Sequence, residues 1–291
     1  GGGFDVIFCV DGRIQHGGLA DRFYGAICTY ALCKIFDTPF KLYYKYPFEL
    51  SEFLEVNTYN WRIDESQIVY NTRNSCPVVL LGDTEWYIKA KHYIKYKSQS
   101  KQIHLYANVR KLDEINQLYN VAYTYAELYN ELFKPSERLL KSLFVAYEKL
   151  PPIYNSMCFR FQNAFGDFKE REFKELPKDE QQQLLIKVHK DIREFVNKYQ
   201  LPVVITADSH LFLNSLKNID GVYTINRGLG NVHMDYIGNS SIDIYEQPFI
   251  DYHCLGKGEE IFCYKGKYNV ISGFAFFAAT LSNKERFLYP E

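Results

Sequence analysis

Strands alternating with helices along both halves of the chain predict an α/β protein of two Rossmann-like domains facing across a cleft. Three observations carry this reading. Apolar runs such as "DVIFCVDG" and "PVVITADS" stop at polar residues and lead into helical patterns, as strands of a parallel sheet do. The 291 residues exceed what one domain of about 150 residues needs. A Pro-Pro pair in "LPPIYN" follows a long helical pattern and marks a linker, which places the boundary near 151 and gives domains of 1–150 and 151–291.

Taken in order, "DVIFCVDG" reads as a buried strand closed by a turn. "HGGLADRFYGAICTYALCKIF" is a glycine turn running into an apolar helix over 20–36. "FKLYYKYPF" alternates like a strand, and "CPVVLLGD" and "QIHLYAN" are two more. "YTYAELYNELF" and "SERLLKSLFVAYEKL" read as helices, with Pro135 between them and Ser136 as an N-cap. The second half restarts with strand "NSMCFRF", a polar helix over 178–199, strand "PVVITADS" and a helix over 209–217. Strand "GVYTI", a Gly-rich loop, a helix over 242–255, strand "KYNVI" and a helix over 274–282 complete it.

Composition narrows the function classes. Hydrophobic residues make up 47% and charged residues 24%, which is globular usage. A net charge of -1 from 34 basic and 35 acidic residues leaves no field to hold a polyanion, so nucleic acid is not an expected partner. Aromatic residues, at 17%, suit both a core and a sugar-stacking surface. No apolar run is long enough to span a bilayer, and no basic start with an apolar stretch suggests a secretory signal. The seven cysteines are scattered in apolar contexts and read as reduced core thiols of a cytoplasmic protein.

Three polar clusters of the second half fall just past strand ends, where an open α/β sheet puts its chemistry. In "CFRFQNAFGDF", Arg160 offers a planar, permanent charge suited to bidentate phosphate contact, or to a structural carboxylate. In "ITADSH", Asp208 and Ser209 stand at a strand-to-helix junction. In "VISGFAFFAATL", Ser272 and Gly273 enter an apolar helix. Hydroxyl and free amides at a helix start make an anion site, although Asp208, Ser209 and Ser272 each serve equally as a cap. Gathered on one edge, the clusters suit a nucleotide diphosphate. In the first half, Gly17 and Gly18 permit close approach of backbone to a ligand, with Asp21 and Arg22 facing the cleft or forming an ion pair of the turn. No Walker-type lysine and no full Gly-x-Gly-x-x-Gly is present, which excludes P-loop hydrolases and ordinary dinucleotide enzymes.

The order of "HGGLADRFYGAI", "CFRFQNAFGDF", "ITADS", "GNVHMDY", "EQPFIDYHCL" and "VISGFAFFAATL" resembles the fucosyltransferase-like branch of two-domain GT-B glycosyltransferases. That branch includes bacterial α1,2- and α1,6-fucosyltransferases and protein O-fucosyltransferases. Cys158 stands where that family usually has His, Phe161 where a second Arg is common, and Ala20 where a third Gly often sits. The resemblance implies an acceptor-side N-terminal domain and a donor-binding C-terminal domain. It also implies inverting transfer of fucose from GDP-fucose to an oligosaccharide or lipid-linked glycan acceptor in bacterial capsule or O-antigen synthesis. No covalent intermediate, cofactor or obligatory metal is expected, and no residue cluster has metal-ligand spacing. Arg160 would meet the donor's β-phosphate, and Asp208 would lie near the guanine edge. Ser209, His233, Ser272, Gly273 and Phe274 complete the donor set, together with Gly17, Gly18 and Arg22 of the N-terminal loop. His16 and Asp21 are both candidates for the acceptor's base, in a loop that completes the site as the domains close. A cytoplasmic location is expected, with association at the inner face of the membrane through the acceptor. Two other readings stay open: a transferase using another nucleotide-activated donor, and a silent nucleotide- or carbohydrate-binding module.

Overall fold

The first strand, β1 (Val6–Val10), is apolar and buried at every position because it lies inside a parallel sheet. It pairs with β2 (Phe40–Tyr44) on one side and β5 (Gln102–Ala107) on the other. Outside β5 lies β4 (Ser75–Leu80), giving the order β2-β1-β5-β4. The computed structural model describes residues 6–71, 73–80, 91–92, 94–95, 102–108, 110–167, 174–225, 227 and 241–291.

Helix α1 (Leu19–Ile35) leaves the loop after β1 and packs on β1, β2 and β5, so most of its circumference is buried. Its approach to β5 depends on Gly25: a Cβ there would lie 1.6 Å from the Ala107 carbonyl oxygen. On α1's other side pack α2 (Leu112–Tyr119) and α3 (Tyr125–Leu132), the latter opened by a capping box between Thr124 and Glu127. Two short strands absent from the sequence reading, β3 (Leu54–Val56) and β6 (Phe133–Pro135), pair antiparallel.

The remaining strands form a second parallel sheet. Here β7 (Asn155–Phe159) lies at the centre, with β8 (Val203–Ala207) and β9 (Val222–Thr224) on one side. β10 (Ile261–Tyr264) and β11 (Arg286–Tyr289) lie on the other, giving the order β11-β10-β7-β8-β9. The chain thus winds outward from β7 in one direction, then returns and winds outward in the other. The crevice at the carboxyl ends of β7 and β10 is the switch point where such sheets bind ligands.

One face of this sheet is covered by α5 (Lys178–Tyr199) and α6 (His210–Ser215). Leu184, Val188, Ile192 and Phe195 recur at helical spacing along α5 and meet Met157, Phe159, Val203, Ile205 and Phe212 in a single core. The other face carries α7 (Ile242–Gly256) and α8 (Gly273–Leu281), with α4 (Glu137–Glu148) packed on α7.

The chain splits into compact units Gly1–Ser136 and Glu137–Glu291. Helix α4, which the Pro-Pro signal assigns to the first domain, therefore goes with the second through its packing on α7. Ser136 donates to the Glu52 carbonyl at 2.7 Å, which ties it to the segment before β3. The expected strand "KYNVI" is irregular, and the strand of this region is the earlier "IFCY". Cys9, Cys28, Cys33, Cys158, Cys254 and Cys263 are buried thiols. No helix among the described residues is long and apolar enough to cross a membrane.

Candidate functional site at the strand ends

The alternation of β7 sorts its residues between two environments. Met157, Phe159 and Phe161 enter the core under α5 and α6, whereas Cys158 faces the other layer, where its thiol lies 3.7 Å from the Ser272 hydroxyl. Arg160 follows Cys158 in that alternation and leaves the strand at the switch point. Its carbonyl accepts from the Val270 amide at 3.1 Å and from Asn269 Nδ2 at 3.4 Å. Segment 267–271 is irregular, and its Val270 amide and Asn269 side chain hold Arg160 by its carbonyl.

Ser272 caps α8: its hydroxyl accepts from the Phe274 amide at 3.1 Å, and its own amide donates to Cys263 Sγ at 3.1 Å. At 2% exposure, Ser272 is a support for the helix start rather than a surface for a ligand. Gly273 and Phe274, in the first turn, are only half-buried. The structure therefore brings Arg160 and the α8 start to the same switch point, with cationic charge and amide dipoles of one sign.

Asp208 lies beside Arg160, because the register pairs Phe159 with Ala207. It does not present a free carboxylate to a nucleotide base. Oδ1 accepts from the Phe161 amide at 2.8 Å and Oδ2 from the Gln162 amide at 2.9 Å. Burial pushes its carboxyl up to about 7, against the pull of these two amides and of the Arg160 charge. The resemblance places Asp208 near the guanine edge; here each of its carboxylate oxygens accepts from a main-chain amide. Ser209 is equally committed: fully buried, it donates to Asp167 Oδ2 at 2.9 Å and accepts from the Phe212 amide at 3.1 Å as the N-cap of α6. Asp167 Oδ2 also accepts from the Leu211 amide at 2.9 Å, so this carboxylate ties the loop after β7 to α6. His233 lies outside the described residues.

A second polar cluster supports the same face, and residue types alone did not disclose it. Glu246 of α7, 1% exposed, accepts from Ser142 at 2.9 Å and Arg227 Nη1 at 3.0 Å, and Arg138 Nε lies 3.5 Å from its other oxygen. Arg227 reaches on to Gln247 Oε1 at 2.6 Å and the Asp243 carbonyl at 2.8 Å. Gln247 Nε2 in turn donates to Asp251 at 2.8 Å, and burial pushes that carboxyl up to about 7. The signal was "EQPFID", in which Gln247 and Asp251 lie at helical i and i+4, beside Glu246.

In the first unit the loop after β1 occupies the corresponding carboxyl edge. Gly17 adopts φ +76, a conformation that favours glycine, and Gly18 is the N-cap of α1 with φ -74. A Cβ on Gly18 would meet nothing within 4 Å, so open space lies in front of that backbone. Asp21, in the first turn of α1, is half-buried and lies against Gly17.

Arg22 points inward instead of toward a ligand. At 1% exposure, its Nε donates to the Gly17 carbonyl at 3.1 Å, and Nη1 donates to the Tyr46 carbonyl at 2.7 Å and the Tyr44 hydroxyl at 3.2 Å. Its expected donor contact gives way to holding the loop. His16 is likewise 1% exposed. Its Nε2 accepts from the Gly12 amide at 3.0 Å, its ring meets Tyr106 edge-on, and its carbonyl accepts from the Tyr106 hydroxyl. Of the two base candidates, His16 is buried with its Nε2 engaged, and Asp21 is half-buried.

Two open parallel sheets, with a glycine turn at one carboxyl edge and an arginine beside a helix start at the other, define an α/β protein of the doubly wound type. No family model and no curated protein matches the chain. Among solved structures, the fold is that of fucosyltransferases. A mutant of Arabidopsis thaliana FUT1 in complex with GDP is similar over 100% of this chain and 72% of its own, with TM-score 0.59 and 13% identity. NodZ alpha-1,6-fucosyltransferase, soaked with GDP-fucose, is similar over 95% of this chain and 92% of its own, with TM-score 0.51 and 10% identity. Among the described residues, no group of His, Cys, Asp and Glu could hold a metal ion.

Proposed function

We propose that the chain transfers fucose from GDP-fucose to a glycan acceptor, with inversion and without an obligatory metal. The observation that carries this reading is the position of Arg160, at the β7/β10 switch point beside the α8 start, in a fold shared with fucosyltransferases whose structures were solved with GDP or GDP-fucose.

The chemistry follows from charge. As the bond from fucose C1 to the diphosphate lengthens, the sugar becomes oxocarbenium-like and negative charge accumulates on the leaving oxygen. The Arg160 guanidinium, with two donors in one plane, neutralises that charge as it forms. Amides at the α8 start add a dipole of the same sign. The acceptor hydroxyl attacks C1 from the opposite face and gives up its proton, for which Asp21 is the proposed base.

A thermal-shift panel of GDP, UDP, CDP and ADP tests the donor assignment. GDP at 100-fold over its Kd stabilises the fold by about 2.7 kcal/mol, and the other nucleotides do so less. Stabilisation by UDP and not by GDP overturns the fucosyl-type donor. Stabilisation by GDP with no release of GDP from GDP-fucose, on any glycan acceptor, leaves a binding module in place of an enzyme. Transfer rates unaltered by excess chelator are the expected result for the metal.

A further inference from the structure

We infer that Asp208 is a positioning residue: by holding the Phe161–Gln162 turn, it fixes where Arg160 presents its guanidinium, without touching the donor. The inference rests on the proposed transfer reaction and adds a residue that acts through another.

Four observations lead to it. The register Cys158 with Thr206 and Phe159 with Ala207 brings the next residues, Arg160 and Asp208, off their strands side by side. Both carboxylate oxygens of Asp208 are then engaged by successive amides, Phe161 at 2.8 Å and Gln162 at 2.9 Å. Two consecutive N–H groups converging on one anion form a nest, here filled by the protein's own carboxylate. Gln162 has φ +56, a left-handed conformation that costs a non-glycine residue energy and persists only where its surroundings enforce it. Finally, the far side of Arg160 is held independently, its carbonyl accepting from Val270 and Asn269.

Arg160 is thus pinned from both neighbouring strand ends. The β10 side holds its carbonyl, and the β8 side holds the two amides that follow it. Removing the Asp208 charge frees the second restraint alone. The turn can then relax out of the left-handed region and carry the guanidinium with it, while the α8 start stays in place. A side chain that bound the guanine edge would act on nucleotide affinity. One that positions Arg160 acts on turnover, because the leaving charge that Arg160 meets is greatest in the transition state.

The experiment is a double-mutant cycle on the full chain with GDP-fucose and a glycan acceptor, joined to GDP titration and hydrogen exchange of the 160–163 amides. Asp208→Asn lowers kcat about 10- to 100-fold with KM for GDP-fucose and Kd for GDP within about threefold. Arg160→Met lowers kcat further, and the double variant is no slower than Arg160→Met alone. Asp208→Glu, which restores the charge, recovers at least part of kcat and serves where Asp208→Asn folds poorly. Multiplicative losses in the double variant, or a GDP Kd weakened more than tenfold by Asp208→Asn, would overturn the positioning role. Hydrogen exchange is independent of activity: the Phe161 and Gln162 amides lose protection in Asp208→Asn, and unchanged protection refutes the inference. Wild-type protein that neither binds GDP nor releases it from GDP-fucose refutes the transferase reading instead, and the exchange result still decides the role of Asp208 in the turn.

Discussion

Each unit places one arginine beside the carboxyl end of its first strand, and the two arginines meet opposite fates. Arg22 is drawn inside, where three hydrogen bonds spend it on the Gly17 and Tyr46 carbonyls and the Tyr44 hydroxyl. Arg160 is held by its backbone: neighbours take its carbonyl and the amides after it, and the side chain stays only half-buried. A guanidinium buried to organise a loop and one left half-buried at a strand end are the same group in sequence. They differ in burial: Arg22 is 1% exposed, whereas Arg160 is only half-buried.

The largest expected effect tests the frame on which Arg22 rests. Gly25→Val puts a side chain into the Ala107 carbonyl, and separation of α1 from β5 costs more than about 4 kcal/mol. Circular dichroism and the melting temperature check this. A variant as stable as wild type means that the helix does not lie against that strand.

The comparison itself breaks or holds on the two arginines. Arg22→Met leaves buried carbonyls without donors and destabilises the fold by about 2 to 4 kcal/mol in denaturant unfolding. Arg160→Met leaves stability within about 0.5 kcal/mol and lowers turnover by about two to three decades. Equal losses of stability in both would erase the distinction.

The units also differ in what perturbs their acids. In the second, the buried Asp208 and Asp251 carboxyls are pushed up to about 7 by burial, whereas in the first the exposed Glu65 is held below the usual carboxylate range by Lys45. A raised carboxyl favours folding at low pH, and its contribution is lost as pH rises through the folded value. Asp251→Asn therefore unfolds at higher denaturant than wild type at pH 8, by about 1 to 3 kcal/mol, and the gap closes toward pH 4. A gap independent of pH means that Asp251 is charged throughout.

The smallest effect separates neighbouring glycines. Gly17→Ala costs about 1 kcal/mol through its positive φ, and Gly18→Ala stays within about 0.5 kcal/mol because a methyl meets only open space. A transfer rate lowered by Gly18→Ala at unchanged stability would show that the space is used by substrate.

How much of this was legible depended on the range of the signal. Helix α5 was read to its ends because its apolar residues recur locally over six turns. The position of Arg160 at a strand end was legible because the transition from an apolar strand to polar residues is local too. Strand β10 was not: four residues buried on both faces carry no alternation, whereas "KYNVI" alternates and is a connecting segment. The commitments of Arg22, His16 and Asp208 were hidden for a different reason. Their partners, Tyr46, Tyr106 and the Gln162 amide, come from other segments, and residue type does not say which polar group a fold will use internally.

The buried cysteines supply a built-in clock for opening. Cys9, Cys28 and Cys33 belong to the first unit, and Cys158, Cys254 and Cys263 to the second. Burial raises the pKa of Cys9, Cys28, Cys158, Cys254 and Cys263, which keeps these thiols protonated and shielded while the fold is closed. A thiol reagent therefore alkylates each set only when its own unit opens, and peptide mapping of the labelled sulfurs reads the two opening equilibria separately in one sample.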